Sequence, residues 1–428
     1  MHRKIITLTA GLLTVLCAHA QNYGVLDEVK NDRIKASGME APYTLRENTL
    51  TAAPKGYSPF YVSHYGRHGS RYASSSDTYK TIRKALREAH KKDNLTGLGE
   101  SFYERYEAFY KIPLTNTGDL VPLGCQQHAA IASYIYNAFP EVFKGNCKVV
   151  ARASTSQRCI VSMGAFCTSL QKKNPEMEIS LSSNHMGMCD IVPASAPSDF
   201  RKKFEGWGKD RKDLESTESF SRRTVDYDAV LGRIFKDYSF LKDLEGGEKE
   251  MIDELYEFLG NYQNYEDVSL FEDVVVPEQF CAMWEAANYG SFMADYDARF
   301  RMIPLLADIV SKGDAAIAGE GPAADLRFGH DYILEAFNCL LDINGCGTVP
   351  ETADEVKYWF QSYNIPMAAN IQFVLYKPEK GGDILFKLLW NGAEAALPGI
   401  KPISGPYYRW NDFKALSEGI FKAHPEVL

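Results

Sequence analysis

Five consecutive residues, Arg67-His68-Gly69-Ser70-Arg71, concentrate more reactive chemistry than any other stretch of this chain. Guanidinium groups stay charged at every relevant pH and match phosphate oxygens in planar, two-point geometry. An imidazole held between two of them can attack phosphorus, because the arginines neutralise the oxygens that would otherwise repel it. Nucleophilic catalysis then replaces one difficult displacement by two easier ones. Gly69 lets the backbone approach a ligand closely. The bland alternative is a turn histidine between solvated arginines. Against it, a chance Arg-His-Gly-x-Arg in a chain of this length is roughly a one-in-a-thousand event at average residue usage.

Two other pieces complement the first. In Arg152-Ala153-Ser154-Thr155-Ser156-Gln157-Arg158 the hydroxyl residues favour a turn that opens a helix. Arg158 would then sit in the first helical turn, where backbone N–H groups already favour anions. In Phe328-Gly329-His330-Asp331 a histidine offers a hydrogen bond to phosphate, and the carboxylic acid beside it can protonate a departing alkoxide. Each piece alone is weak, since surface arginines and His-Asp dipeptides are common. Together they supply a nucleophile, oxyanion clamps and an acid.

These pieces need strands to carry them. Ser58 to Tyr65 reads as a strand stopped by Gly66, Lys148 to Ala151 as a short buried strand, and Ala324 to Phe328 as another. Helical periodicity marks Asp77 to Lys91, Gln126 to Phe139 and Cys159 to Gln171. Strand–helix alternation of this kind predicts an α/β fold: a three-layer core with a mostly parallel sheet flanked by helices. Each reactive piece would follow a strand, where open α/β sheets bind ligands. Two late segments, Ile371 to Tyr376 and Ile384 to Trp390, are separated by Lys377 to Asp383 with its Gly381-Gly382, a hairpin signal. The middle is charged and helix-favouring, with Arg201 to Lys212 and Glu248 to Leu259 as its clearest helices. The expected organisation is therefore residues 21–190 as the first part of the core, 191–290 as a helical insertion or cap, and 291–428 as the second part.

Residues 1–20 read as a signal peptide: basic Arg3 and Lys4, an apolar run from Ile5 to Cys17, then Ala18-His19-Ala20. Cleavage after Ala20 is expected, giving an exported protein, periplasmic or secreted, with no membrane anchor in the mature chain. A lipoprotein processed at Cys17 is the rival, disfavoured by the bulky Leu16. The formal charge of −9 argues against non-specific nucleic-acid binding while leaving room for a small anion where arginines converge. Nine cysteines occur without Cys-x-x-Cys spacing, so no zinc site and no cofactor is expected. After loss of Cys17 eight remain. Cys339 and Cys346 are the pair close enough in sequence to suggest a disulfide.

Arg67 to Arg71, the serine-rich turn before Arg158, and His330-Asp331 together resemble the histidine acid phosphatases. These form the second clade of the histidine phosphatase superfamily, with phytases and multiple inositol polyphosphate phosphatases. Leu114-Thr115-x-x-Gly118, Leu123-Gly124 and Pro366-Met367-Ala368-Ala369-Asn370 are similar to further elements of that family. The likeness covers most of residues 55–395 and is poorest in the helical middle. It implies a phosphohistidine on His68, with Arg67, Arg71, Arg158 and His330 holding the phosphoryl oxygens and Asp331 acting as proton donor. Arg158 matches the third clamp better than Arg152. No metal is implied. The substrate implied is a small phosphate ester, an inositol polyphosphate such as phytate first and a general acid or sugar phosphatase substrate second. A non-catalytic phosphate-binding protein and a phosphoryl-transfer mutase are the remote alternatives. Arg152, Arg299, Arg301 and Lys55 are candidates for extra cations around the cleft, each also readable as an ordinary surface residue. The chain departs from the family at Ala73, where the motif usually closes with proline. It departs again at Tyr332, which either lines the leaving-group pocket or packs at a helix start.

Overall fold

The computed structural model describes residues 23–45, 48–192 and 214–425. The expected signal peptide over residues 1–20, with Arg3, Lys4 and Cys17, lies outside the described residues, as does the helix expected from Arg201 to Lys212. Among the described residues eight strands form one sheet: β1 (Tyr57–Arg67), β2 (Lys148–Ala153), β3 (Glu178–Ser182), β4 (Ala324–Gly329), β5 (Asn370–Pro378), β6 (Leu385–Trp390), β7 (Ala393–Glu394) and β8 (Tyr407–Arg409). Their order is β3-β2-β4-β1-β5-β6-β7, with β8 pairing β6. The half that runs from β3 to β1 is parallel, and the half from β5 onward is antiparallel, beginning with the hairpin read at Gly381-Gly382.

In the parallel half β4 and the second part of β1 are buried on both faces, as helices on each side require, while the edge strand β3 is largely exposed. On one face Val62, Val149, Leu326, Phe328 and Val374 pack against α3 (Pro122–Ala138) and α4 (Gln157–Lys173), through Ile131, Ile135, Met163, Phe166 and Leu170. On the other face Tyr61, Tyr65, Ile371, Phe373 and Phe386 meet α7 (Ile303–Ala318), α8 (Asp331–Leu340) and α9 (Trp410–Ala423). This is the three-layer α/β arrangement with helices flanking a central sheet. A separate helical core joins α1 (Asp77–Lys91) and α2 (Gly97–Phe109) to α5 (Gly247–Asn261) and the start of α6 (Pro277–Ala298). The helical middle of the chain thus shares its core with helices that precede β2. No helix among the described residues is long and apolar enough to cross a membrane.

Two expectations change. β1 does not stop at Gly66 but continues through Arg67, because Gly66 and Arg67 pair with Phe328 and Gly329 on one side and Gly66 with Asn370 on the other. The suggested Cys339–Cys346 disulfide is not formed. Both thiols are free, and Cys339 donates to the Cys346 carbonyl at 3.6 Å across a turn with Asp342 and Asn344 in the left-handed region.

The loop after β1 is held against α3 at a contact only two glycines permit. A Cβ on Gly69 would stand 2.5 Å from the Gly124 backbone, and one on Gly124 would stand 2.5 Å from the Ser70 carbonyl. Neither neighbour is a flexible side chain that could yield. Gly124→Ala is therefore expected to cost about 1–3 kcal/mol by overpacking. Gly164→Ala, where a Cβ on α4 meets nothing within 4 Å, is expected to be stabilising by about 0.5–1 kcal/mol. Urea denaturation of the two variants checks both signs.

Candidate functional site

Strand register brings the three reactive pieces together. Arg67 lies beside Gly329 in the β1–β4 pairing, and Ala153 lies beside Phe328 in the β2–β4 pairing. The His68 N–H donates to the Gly329 carbonyl at 2.9 Å, and the Ser154 N–H donates to the Phe328 carbonyl at 2.9 Å. Three parallel strands thus end at one level, and the residues that follow them turn into a common space. The His68 and His330 ring centroids are 5.7 Å apart, edge to face.

His68 is fully buried, and its Nδ1 lies 3.0 Å from the Gly69 carbonyl oxygen. That oxygen can only accept, so Nδ1 carries the proton and Nε2 keeps its lone pair. Burial first, and then Arg67, Arg71, Arg158 and His330, hold the imidazole well below its ordinary pKa. The ring is therefore neutral and nucleophilic in acidic as well as neutral solution. The loop around it is fixed by backbone donors. The Gly69 N–H reaches the Ser162 hydroxyl at 3.0 Å, the Ser70 N–H reaches Gln127 Oε1 at 2.9 Å, and the His68 carbonyl accepts from the Ala368 N–H at 2.8 Å. Ser162 lies four residues after Arg158 on α4, so one helical face both anchors the loop and presents a clamp.

The arginines are held mainly by their Nη atoms. Arg67 Nη1 donates to the Met39 and Ile365 carbonyls at 2.6 and 2.8 Å, and Nη2 lies 2.6 Å from Asp331 Oδ2. Arg71 donates to the Tyr72 carbonyl at 3.0 Å and to Glu40 at 3.2 Å. Meanwhile the Nε atoms of Arg67, Arg71 and Arg158 are all buried without a protein hydrogen-bond partner. Three buried, charged donors near one imidazole suit an oxyanion with several equatorial oxygens.

Asp331 opens α8, with His330 as its N-cap residue. Burial would raise the Asp331 pKa, but Arg67, Arg71 and His330 outweigh it and hold the group at about 2. His330 is pushed down to about 4, chiefly by burial and then by the arginines against the pull of Asp331. Its Nε2 lies 3.1 Å from the Ser154 hydroxyl. Tyr332 stacks on the His330 ring at 5.3 Å and 10°.

The structure brings together His68, Arg67, Arg71, Arg158, His330 and Asp331. It leaves out several of the extra cation candidates. Arg152 is committed to Asp190 and Asp308 at 3.3 and 2.5 Å. Arg299 caps the Tyr296 carbonyl and lies over the Tyr296 and Phe300 rings. Lys55 precedes the far end of β1, whose Tyr57 is about 33 Å from Arg67 at roughly 3.3 Å per residue. Ala73 also finds a reason. Its N–H donates to the Tyr79 hydroxyl at 2.9 Å, a bond proline could not make.

Sequence reasoning missed Glu40, which touches both Arg67 and Arg71, and Asn261, which donates to Glu40 at 2.6 Å. It also missed Glu257, whose pKa burial and Glu40 raise to about 8 against the pull of Arg71. None of the three lies near a motif, and no local pattern could have singled them out.

A family model described as the histidine phosphatase superfamily (branch 2) matches residues 66–228. No curated protein matches the chain. Among solved structures, a multiple inositol polyphosphate phosphatase of Bifidobacterium longum, in complex with inositol hexasulfate, aligns with a TM-score of 0.70 at 16% identity, over 90% of this chain and 97% of its own. The phytase of D. castellii aligns with a TM-score of 0.65 at 17% identity, over 91% and 85%. The Citrobacter braakii phytase gives 0.56 at 15% identity, over 85% and 98%. At such identities these likenesses are ones of fold.

Arg158 and Arg152 offer a direct test of the site's boundary. Arg158→Gln is expected to lower kcat/KM for a phosphate monoester by about 10²–10³-fold, as loss of an oxyanion donor does. Arg152→Gln is expected to change it less than about threefold, its cost appearing in stability through the uncompensated Asp190, since Asp308 keeps its pairing with Arg327. Steady-state kinetics and a urea midpoint for each variant decide.

Proposed function

We propose that this chain is a histidine phosphatase of branch 2, that it cleaves phosphate monoesters through a covalent phosphohistidine on His68, and that it acts outside the cytoplasm on an inositol polyphosphate such as phytate. The observation that carries the reading is a neutral, buried imidazole, its Nε2 lone pair free, among three guanidiniums whose Nε–H groups have no protein partner. In the first step Nε2 attacks phosphorus while Arg67, Arg71, Arg158 and His330 hold the equatorial oxygens. The P–O bond to the alcohol breaks, and Asp331 gives its proton to the departing oxygen. In the second step Asp331, now a carboxylate, takes a proton from water as the water attacks phosphorus; the P–N bond breaks, phosphate leaves and Nε2 regains its lone pair. The arginines stabilise the charge that develops on the phosphoryl oxygens.

The resting Asp331 is a carboxylate, so the substrate must help to protonate it. A phosphate dianion seated on Arg67 and Arg71 neutralises the charges that depress its pKa, and its own charge raises that pKa further. The rate therefore needs unprotonated His68, available down to acidic pH, and protonated Asp331, lost as pH rises. An acidic-to-neutral optimum follows.

The substrate choice rests on the fold shared with inositol polyphosphate phosphatases and phytases and on the reading of the sequence. One observation favours a broad-specificity acid or sugar phosphatase instead. Arg152, Arg299 and Lys55, candidates for gripping additional phosphates, are engaged or placed elsewhere. Export rests on the leader-like residues 1–20. A mature protein whose mass begins at Gln21 would support it.

Phosphate release from phytate and from p-nitrophenyl phosphate, with EDTA present, tests the proposal. Wild type is expected to act on phytate despite EDTA, and His68→Ala to be inactive on both. Asp331→Asn should lose about 10²–10⁴-fold on an alkyl phosphate and much less on the nitrophenyl ester, whose leaving group needs little protonation. Activity on the aryl ester alone would move the enzyme to the general acid phosphatases. A His68→Ala variant as active as wild type would overturn the mechanism.

A further inference from the structure

Behind the proposed acid lies a group the reaction scheme does not use. Glu335 stands four residues after Asp331 on α8, hence on the same helical face one turn further in. It is 1% exposed, and Asp295 on α6 is 7% exposed. The two carboxyl groups lie within hydrogen-bonding reach of each other. Neither oxygen of Glu335 meets any donor from the protein. Two carboxylates cannot satisfy one another unless a proton lies between them, so the contact is a bond only when one is held there.

The surroundings supply no cation to relieve them. Asp295 faces Glu335 from α6, and Asp331 and Cys339 face it from α8 itself. Arg67, on β1, is spent on Asp331, and Arg71 acts on Asp331 and Glu40. Arg299, in the turn after α6, caps Tyr296. Among the described residues no ion pair reaches Glu335 or Asp295. Burial and then the charge of Asp331 raise Asp295 to about 7 against the pull of its hydrogen bond with Glu335, while burial, Asp295 and Asp331 all raise Glu335 well above its ordinary value. Glu335 and Asn338 also line a cavity of about 550 Å³ whose rim includes the exposed Ile34. Glu335 can therefore exchange the shared proton through this cavity, whose lining does not include His68.

We propose that Glu335 and Asp295 form a proton-sharing pair that positions the protonation equilibrium of Asp331 and so sets the alkaline limit of the reaction. The proposal rests on the phosphatase reading above. At low pH the pair is neutral and Asp331 responds to the arginines and substrate alone. As pH rises the pair ionises, and a negative charge appears one helical turn from Asp331. Like charge raises the proton affinity of Asp331, so the acid stays competent to higher pH than it would alone. Glu335 and Asp295 touch no substrate in this scheme; they act through Asp331.

The test pairs infrared spectroscopy with pH–rate profiles on the full chain. Wild type at pH 6 is expected to show a buried protonated-carboxyl stretch that both Glu335→Gln and Asp295→Asn lose. The double variant keeps shape and hydrogen bonding while removing both titrations. Its alkaline limb in kcat should move to lower pH by about one unit, with the acid limb fixed and the value at the optimum within about threefold. A merely structural pair would instead lower kcat at every pH and leave the limb where it was, which would overturn the proposal. So would a wild-type spectrum in which neither substitution removes a band. Wild type inactive on all phosphate esters would sink the phosphatase reading, whereas the band would still report on the pair.

Discussion

The site depends on burying three positive charges in a small space. Arg67 is fully buried, Arg71 nearly so, and Arg158 leaves its Nε inside. Isolated buried charges are unfavourable by several kcal/mol each, so the surrounding chain must compensate. It does so by directing Nη groups toward oxygens at the back, the Met39, Ile365 and Tyr72 carbonyls and the Glu40 and Asp331 carboxylates. The segment before β1 thereby becomes part of the active-site architecture. Asn261 and Asn264 on the helical side hold Glu40 through its carboxylate and its carbonyl. Core, helical layer and leading segment all converge on holding the guanidiniums in place.

The same charges explain the division of labour among ionisable groups. Together with burial, the larger cause, they keep His68 neutral, and against burial they keep Asp331 ionised. In the proposed reaction one field thus favours the nucleophile and opposes the acid. A bound dianion relaxes both effects, but burial, the largest cause at His68, still holds that imidazole neutral. The proposed scheme therefore ties protonation of the leaving group to occupancy of the site.

Much of this was legible in the chain. Arg67, His68, Arg71, Arg158, His330 and Asp331 were readable because their chemistry is packed into short runs after strands. Those strands announce themselves by aromatic and β-branched composition. The hairpin at Gly381-Gly382 was readable for the same local reason. What was not readable is whatever depends on distant contacts. The continuation of β1 through Gly66 depends on two partners remote in sequence. Glu40, Glu257 and Asp295 carry no local signal, being acids outside any motif that only the tertiary fold brings to the site. Arg152 and Arg158 flank one turn, and the family pattern already favoured Arg158 as the clamp. β2 carries Arg152 onto Asp190 and Asp308, while the helix start turns Arg158 toward His68.

The strand order has a consequence for when the enzyme comes into being. β1 and β2 never touch; β4, from a point some three-quarters along the chain, slides between them. Until that insertion the early part of the chain holds an imidazole and its arginines but no lane to align them, and the proton donor has not yet emerged. Pairings of such long sequence separation form slowly. A nascent chain thus carries the residues of the site without the site itself. Assembly of the last strands acts as a timer, withholding the arrangement until synthesis is nearly done.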